Sequence, residues 1–273
     1  MTPSDGTEMV SMTHTGKVRS HNEDCVIAMN ELGLAILADG LGGYNAGEVA
    51  AGLAANAISQ GLEAAWPNAR KGPLNRRGKR AVAEQLIQRE VVNADATIFA
   101  KAHSAQQWAG MGTTLVLALF FDSSVTVAHM GDSRLYRLRG EALEQLTHDH
   151  SLLQEQIDAG VMTTEHAKTS NNRNVVTRAL GADPAEEIEM HTHDTLVGDV
   201  YLLCSDGLTD MVDDEVIQLK LTPLKANLQL AAQQLVDAAN EAGGRDNISV
   251  IVVRVMGESS SATHSIEKVS VVV

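Results

Sequence analysis

Short runs rich in Val, Ile and Leu at 34–38, 114–120, 125–130, 135–138, 200–204 and 248–255 alternate with longer stretches whose apolar positions recur at helical spacing. The short runs predict strands, because β-branched segments of this length fit a pleated surface buried in a core. The longer stretches predict helices over 46–65, 81–103 and 224–242. In the second of these, Val82, Leu86, Val91 or Val92, and Ile98 share one face. The alanine runs of the first suit close packing. Gly131-Asp132-Ser133-Arg134 joins two strand-like runs with the length and residue types of a hairpin connection, which predicts antiparallel pairing across 126–138. That favours sheets layered with helices over a doubly wound parallel sheet. Segment 147–181 breaks the pattern. It is polar, helical only over 152–159 and 164–168, and carries the loop SNNRN, so it is expected to lie over the sheet rim as a flap.

The 273-residue length is enough for a large single core, and no linker or repeat divides it; residues 1–256 are expected to form one domain. The stretch 257–273 begins GESSSATHS and ends VSVVV; its first part buries too little apolar area to offset ordering entropy, so the tail is expected to be mobile. A formal charge of −14 argues against nucleic-acid or anionic-membrane partners. The local exception, ARKGPLNRRGKR at 69–80, reads as a solvated loop between helices. No apolar stretch reaches the ~20 residues of a membrane span, and MTPSDGTEMV is not a signal peptide, so a cytoplasmic location is expected. Cys25 and Cys204 lie far apart and outside metal or redox spacings; they read as small apolar residues in a reducing compartment.

The candidate chemistry lies at the ends of the strand-like runs. Asp39, Asp132, Asp206 and Asp246 each terminate or precede one of them, most beside a glycine. Such ends deliver carboxylates to a sheet rim, and several carboxylates with little neutralising charge call for hard divalent cations. Any one Asp-Gly is also an ordinary turn pair. The argument rests on the set. No G-x-S-x-G, H-E-x-x-H or P-loop competes with it.

Seven motifs occur in a telling order: Arg19-Ser-His-Asn-Glu23-Asp24, Ala38-Asp39-Gly40-Leu41-Gly42-Gly43, Gly112-Thr113-Thr114, Gly131-Asp132-Ser133-Arg134, Thr177-Arg178-Ala179-Leu180-Gly181, Ser205-Asp206-Gly207 and Gly244-Arg245-Asp246-Asn247. From about residue 15 to 255 the chain resembles the compact bacterial members of the PPM-type metal-dependent protein phosphatases, the protein phosphatase 2C family. The resemblance implies an α+β fold, a four-layer α-β-β-α sandwich of two mainly antiparallel sheets flanked by helices, with cations in the channel between the sheets. It implies that Asp39 bridges two Mg²⁺ or Mn²⁺ ions. Asp206 and Asp246 would complete one ion, and the Gly40 carbonyl with waters held by Glu23 and Asp24 the other. Asp132 and Asp206 match the residues of a third, looser ion.

By the same resemblance the chain is a serine/threonine phosphatase in which a two-metal-activated water attacks phosphorus, a chemistry that needs no side-chain nucleophile. Arg19 is the candidate for gripping phosphoryl oxygens. The implied partners are phosphorylated proteins and a bacterial Ser/Thr kinase sharing them, with the enzyme itself a monomer. Many relatives carry a histidine after the bridging Asp-Gly as general acid; here the residue is Leu41. His129 and His148 are weak substitutes, more in keeping with satisfied or exposed histidines. Arg134 is expected to pair with a carboxylate. Two alternatives stand beside this reading: a catalytically inactive phosphoprotein-binding module, and a partner-switch phosphatase acting on an anti-sigma-factor antagonist.

Overall fold

The computed structural model describes residues 6–43, 46–163, 166, 175–183 and 187–257. The strands are β1 (Thr7–His14), β2 (Asp24–Met29), β3 (Leu34–Leu41), β4 (Gly112–Thr113), β5 (Leu115–Phe121), β6 (Ser124–Met130), β7 (Arg134–Arg139), β8 (Ala142–Gln145), β9 (Glu189–Asp194), β10 (Val200–Cys204) and β11 (Ile248–Val255). The helices are α1 (Ala46–Arg70), α2 (Arg76–Ala102), α3 (Leu152–Asp158), α4 (Asp206–Thr209), α5 (Asp214–Leu224) and α6 (Leu228–Glu241). One sheet runs in the order β1-β11-β10-β7-β8 and the other β2-β3-β5-β6-β9, with β4 paired to β3. Every pairing between these strands is antiparallel.

Alternation along the strands separates three apolar layers. In β3, Ala35 and Leu37 face the opposite sheet, while Leu34 and Ile36 face α1 and α2. In β11, Ile251, Val253 and Val255 enter the inter-sheet core, whereas Val250 and Val252 meet α4, α5 and α6. Both faces of each sheet's central strands are covered, which is why those strands read as unbroken apolar runs. Helix α1 presents a stripe at four-residue steps, Ala46, Ala50, Ala54, Ile58, Leu62 and Trp66, all buried. Its small residues let the helix approach the sheet closely. Trp66 packs edge-on against Phe121 at 5.0 Å and anchors the last turn, so the helix continues past Pro67 to Arg70 instead of ending near Ala65.

The predicted hairpin across 126–138 does not form. Strand β6 pairs with β5 and β9, β7 pairs with β10 and β8, and Gly131–Ser133 carries the chain from one sheet to the other. The backbone turns there because Gly131 has φ +103° and a Cβ would stand 2.7 Å from Thr114. The two-residue hairpin lies earlier, between β5 and β6, where Asp122 and Ser123 both take positive φ.

The basic run is also not a free loop. Its second half is the first turn of α2, capped by Asn75, and it grips that hairpin turn: Lys79 pairs with Asp122, Arg76 with the Ser123 carbonyl, and Arg76 and Arg80 with Asp194. Cations at a helix start oppose the helix dipole. The two aspartates offset that cost. On α2 the buried partner of the face is Val91, 3 % exposed, while Val92 is 53 % exposed. The predicted helix over 224–242 is interrupted, with Asn227 capping the start of α6. The proposed 164–168 helix, the SNNRN loop and all but the first residue of the 257–273 tail lie outside the described residues, save His166.

Candidate metal centre

Five strand ends meet at one edge of the sandwich. Asp24 opens β2 directly opposite Asp39 near the end of β3, and Asp132 follows β6. From the other sheet, Asp206 opens α4 after β10, and Asp246 precedes β11. Hydrogen bonds stitch the two halves. The Glu23 amide donates to Asn247 Oδ1 at 2.8 Å, and Ser205 Oγ donates to Asp24 Oδ2 at 3.0 Å. Asn247 Nδ2 holds the carbonyls of Thr15 and His21, which fixes the segment leading into Glu23. Thr114 braces Asp39, accepting its amide N–H on Oγ1 at 3.1 Å and donating its own to the Asp39 carbonyl at 2.9 Å. The Gly40 amide donates to the Glu23 carbonyl at 3.2 Å, so that glycine lies inside the same cup.

Crowded carboxylates repel. Loss of solvent first, and then the charges of Asp24, Asp206, Asp132 and Asp246, hold the Asp39 carboxyl well above the ordinary range. Asp206 is raised in the same way by burial, Asp132 and Asp210. Burial pushes Asp24 to about 6, and burial with the nearby Asp149 pushes Asp132 to about 7. Arg134 offsets little of this, because its guanidinium is bound to Asp149 at 2.7 Å. A cation would reverse every one of these shifts. Two buried oxygens are poised for one: Asp24 Oδ1 has no hydrogen-bond partner, and Glu23 Oε1 has none either, the His21 ring standing off at 3.5 Å. An all-oxygen donor set with net negative charge suits Mg²⁺ or Mn²⁺.

These shifts have a sign that can be measured. Without cations the folded chain keeps protons on Asp24 and Asp132 that the unfolded chain has already released above about pH 4. Stability therefore falls as pH rises from about 4 through 7. The chelator-treated protein is expected to lose several degrees of melting temperature between pH 5 and 8, and saturating Mg²⁺ at pH 8 to restore them. A flat metal-free profile would contradict the crowding.

Arg19 sits at the rim, half exposed, with Nη2 2.6 Å from Asp246 Oδ2. Arg134 pairs with a carboxylate as expected, Asp149. Ser133 is buried against Thr114 at 2.8 Å. His129 is buried against the His148 backbone, and His148 pairs with Asp158 on α3. A cleft of about 770 Å³ opens beside the carboxylates, from Asp132 and Asp206 out to Leu153, Ile157, Met211 and Asp214. The sequence reading gave no role to Asn247, Ser205, Thr114 or Asp149, although the first three lie in the motifs it quoted. Polar residues abutting buried strands were the available signal.

The chain matches the protein phosphatase 2C family over residues 16–240. It is 34 % identical over 247 residues to the serine/threonine phosphatase stp of Listeria innocua, covering 88 % of this chain and 93 % of that one. A crystal structure of the Mycobacterium tuberculosis serine/threonine phosphatase PstP/Ppp superposes with TM-score 0.81 at 34 % identity, covering 92 % of this chain and 100 % of that one. A structure of the PstP catalytic domain in complex with two manganese ions superposes with TM-score 0.79 at 33 % identity, covering 92 % and 99 %. The layered fold is that of a serine/threonine protein phosphatase. The chain belongs to the protein phosphatase 2C family.

Proposed function

We propose that this protein hydrolyses phosphoserine and phosphothreonine in protein substrates, opposing a serine/threonine protein kinase. The observation that supports it most is the convergence of Glu23, Asp24, Asp39, Asp132, Asp206 and Asp246 from both sheets, with one oxygen each of Glu23 and Asp24 buried and unpartnered. In this reading Asp39, Asp206, Asp246, the Gly40 carbonyl, Glu23 and Asp24 hold two Mg²⁺ or Mn²⁺ ions, and Asp132 with Asp206 a third. Two such ions, when bound, activate a water for in-line attack on phosphorus and offset the charge that develops.

The protein's own groups supply the rest. Arg19 has five N–H donors, so its bond to Asp246 leaves capacity to grip two phosphoryl oxygens at the rim. Asn247, Ser205 and Thr114 hold the carboxylate-bearing segments still, which limits reorganisation during reaction. Leu41 has no proton to give the departing alkoxide.

The test is phosphate release from a phosphothreonine peptide with and without Mn²⁺, in wild type and Asp206→Asn, with a phosphotyrosine peptide as control. Release should require Mn²⁺, collapse in the variant and spare phosphotyrosine. A wild type that retains the phosphothreonine peptide without cleaving it at any Mn²⁺ concentration would replace this reading with a phosphoprotein-binding module.

A further inference from the structure

We propose that His150 is a positioning residue: it fixes the turn that carries Asp132, and so the affinity of the third, looser cation, and it ties that turn to Val176 and Thr177. The inference rests on the cation reading of Asp132 given above. His150 is 7 % exposed and holds both polar groups of the Gly131 backbone. Its backbone N–H donates to the Gly131 carbonyl at 2.9 Å, and its ring Nδ1 accepts the Gly131 N–H at 3.1 Å. Asp132 is the next residue. The His150 carbonyl in turn accepts the Thr177 N–H at 2.9 Å, and Ser151 bridges to Val176. Three segments therefore meet at one residue: the sheet-to-sheet turn, the start of α3 and the stretch at Val176 and Thr177.

The Gly131 N–H on one side of the ring and the Glu189 carboxylate on the other favour one tautomer. With Nδ1 accepting the Gly131 N–H, the proton sits on Nε2 and points at Glu189 Oε2, 3.3 Å away; Arg178 Nη1, 3.1 Å from the same nitrogen, is itself a donor and makes no bond to the ring in this tautomer. His129, His150 and Glu189 bring ligand-type atoms within 4.8 Å of one another. They do not make a metal site of their own. The two imidazoles stack 4.9 Å apart at 13°, so their in-plane lone pairs do not converge, and the guanidinium stands beside His150. The cluster orients a ring. The ring orients Gly131, whose φ of +103° and contact with Thr114 leave the turn little other freedom.

Partners that orient metal-holding residues change metal affinity by about 10–100-fold when removed. Two substitutions separate this role from simple packing. Asparagine places Oδ1 where Nδ1 stands and keeps an acceptor for the Gly131 N–H. Glutamine reaches toward Glu189, as Nε2 does, and lacks that acceptor. In calorimetric titration of the chelator-treated full chain with Mn²⁺, His150→Gln should weaken the weakest binding step about tenfold, and Asp132→Asn should remove that step. His150→Asn should stay within about threefold of wild type, as should both tighter steps in His150→Gln. Both His150 variants should show one cooperative melting transition.

In phosphothreonine-peptide assays the Mn²⁺ concentration for half-maximal rate should rise in His150→Gln, with the peptide KM near wild type. Equal weakening in the Asn and Gln variants, an unchanged weakest step in His150→Gln, or no weaker step in wild type would overturn the proposal. A wild type that binds Mn²⁺ in these steps and releases no phosphate would sink the phosphatase reading alone.

Discussion

Asp39→Asn should lower phosphate release at saturating Mn²⁺ by on the order of 10³-fold, about 4 kcal/mol of barrier, and at the same time raise the melting temperature of the chelator-treated protein. The two effects have one cause. Asp39 is buried among Asp24, Asp132, Asp206 and Asp246, and loss of solvent first, then their charges, hold its carboxyl well above the ordinary range. An amide of the same shape is neutral without a proton, so the folded chain need neither take one up nor carry a negative charge in that crowd. In the absence of cations this relieves repulsion, worth about 1–2 kcal/mol and therefore roughly 2–8 °C for a domain of this size. In their presence it removes the carboxylate that the proposed ions share. Activity assays and thermal unfolding, with and without chelator, measure both. A variant that is inactive and also less stable without metal would point to a folding defect in place of a lost ligand.

Gly207→Ala should cost about 3 kcal/mol or more of stability and most of the activity. A Cβ at this position would lie 1.9 Å from the Asn247 carbonyl oxygen, and that neighbour is backbone that no rotamer change can move aside. Overpacking of this kind typically costs about 1–3 kcal/mol, and this contact is at the severe end. The strain would fall between Asp206 and Asp246, pushing apart the ends of β10 and β11. Denaturant unfolding gives the stability, and the Mn²⁺ affinity shows whether the two carboxylates still bind a cation together. Wild-type stability in this variant would show that the β10 and β11 ends tolerate displacement.

Much of the sandwich was legible because central strands covered on both faces produce unbroken apolar runs, as at 34–38 and 248–255. Edge strands were not. Strands β1, β2, β8 and β9 mix polar and apolar residues with no long run, so they carry little local signal. The turn at 131–134 misled because a hairpin and a sheet-to-sheet crossing need the same tight, glycine-led backbone; only the identity of the neighbouring strands separates them. The basic run misled for a related reason. Arg76, Lys79 and Arg80 look solvated in sequence, and their partners, Asp122 and Asp194, are far along the chain.

The acidic positions were legible as a set because each lies at the end of an apolar run. What could not be read was the frame around them. Asn247 reaches Glu23 across 224 positions, and Ser205 reaches Asp24 across 181, separations that leave no local trace. Arg19 illustrates the same limit: its partner is Asp246, on the other side of the cup, and not the acids beside it in the chain.

The cup spans a seam. Its acidic residues come from both ends of the chain, and the two sheets meet there through side-chain bonds such as those of Asn247 and Ser205, not through a shared strand ladder. Cations seated in it would act as a removable cross-link, closing very long loops and binding only the assembled sandwich. Metal supply would then govern how independently the two halves of the molecule breathe as well as its chemistry, so that a starved enzyme is both idle and looser along that edge.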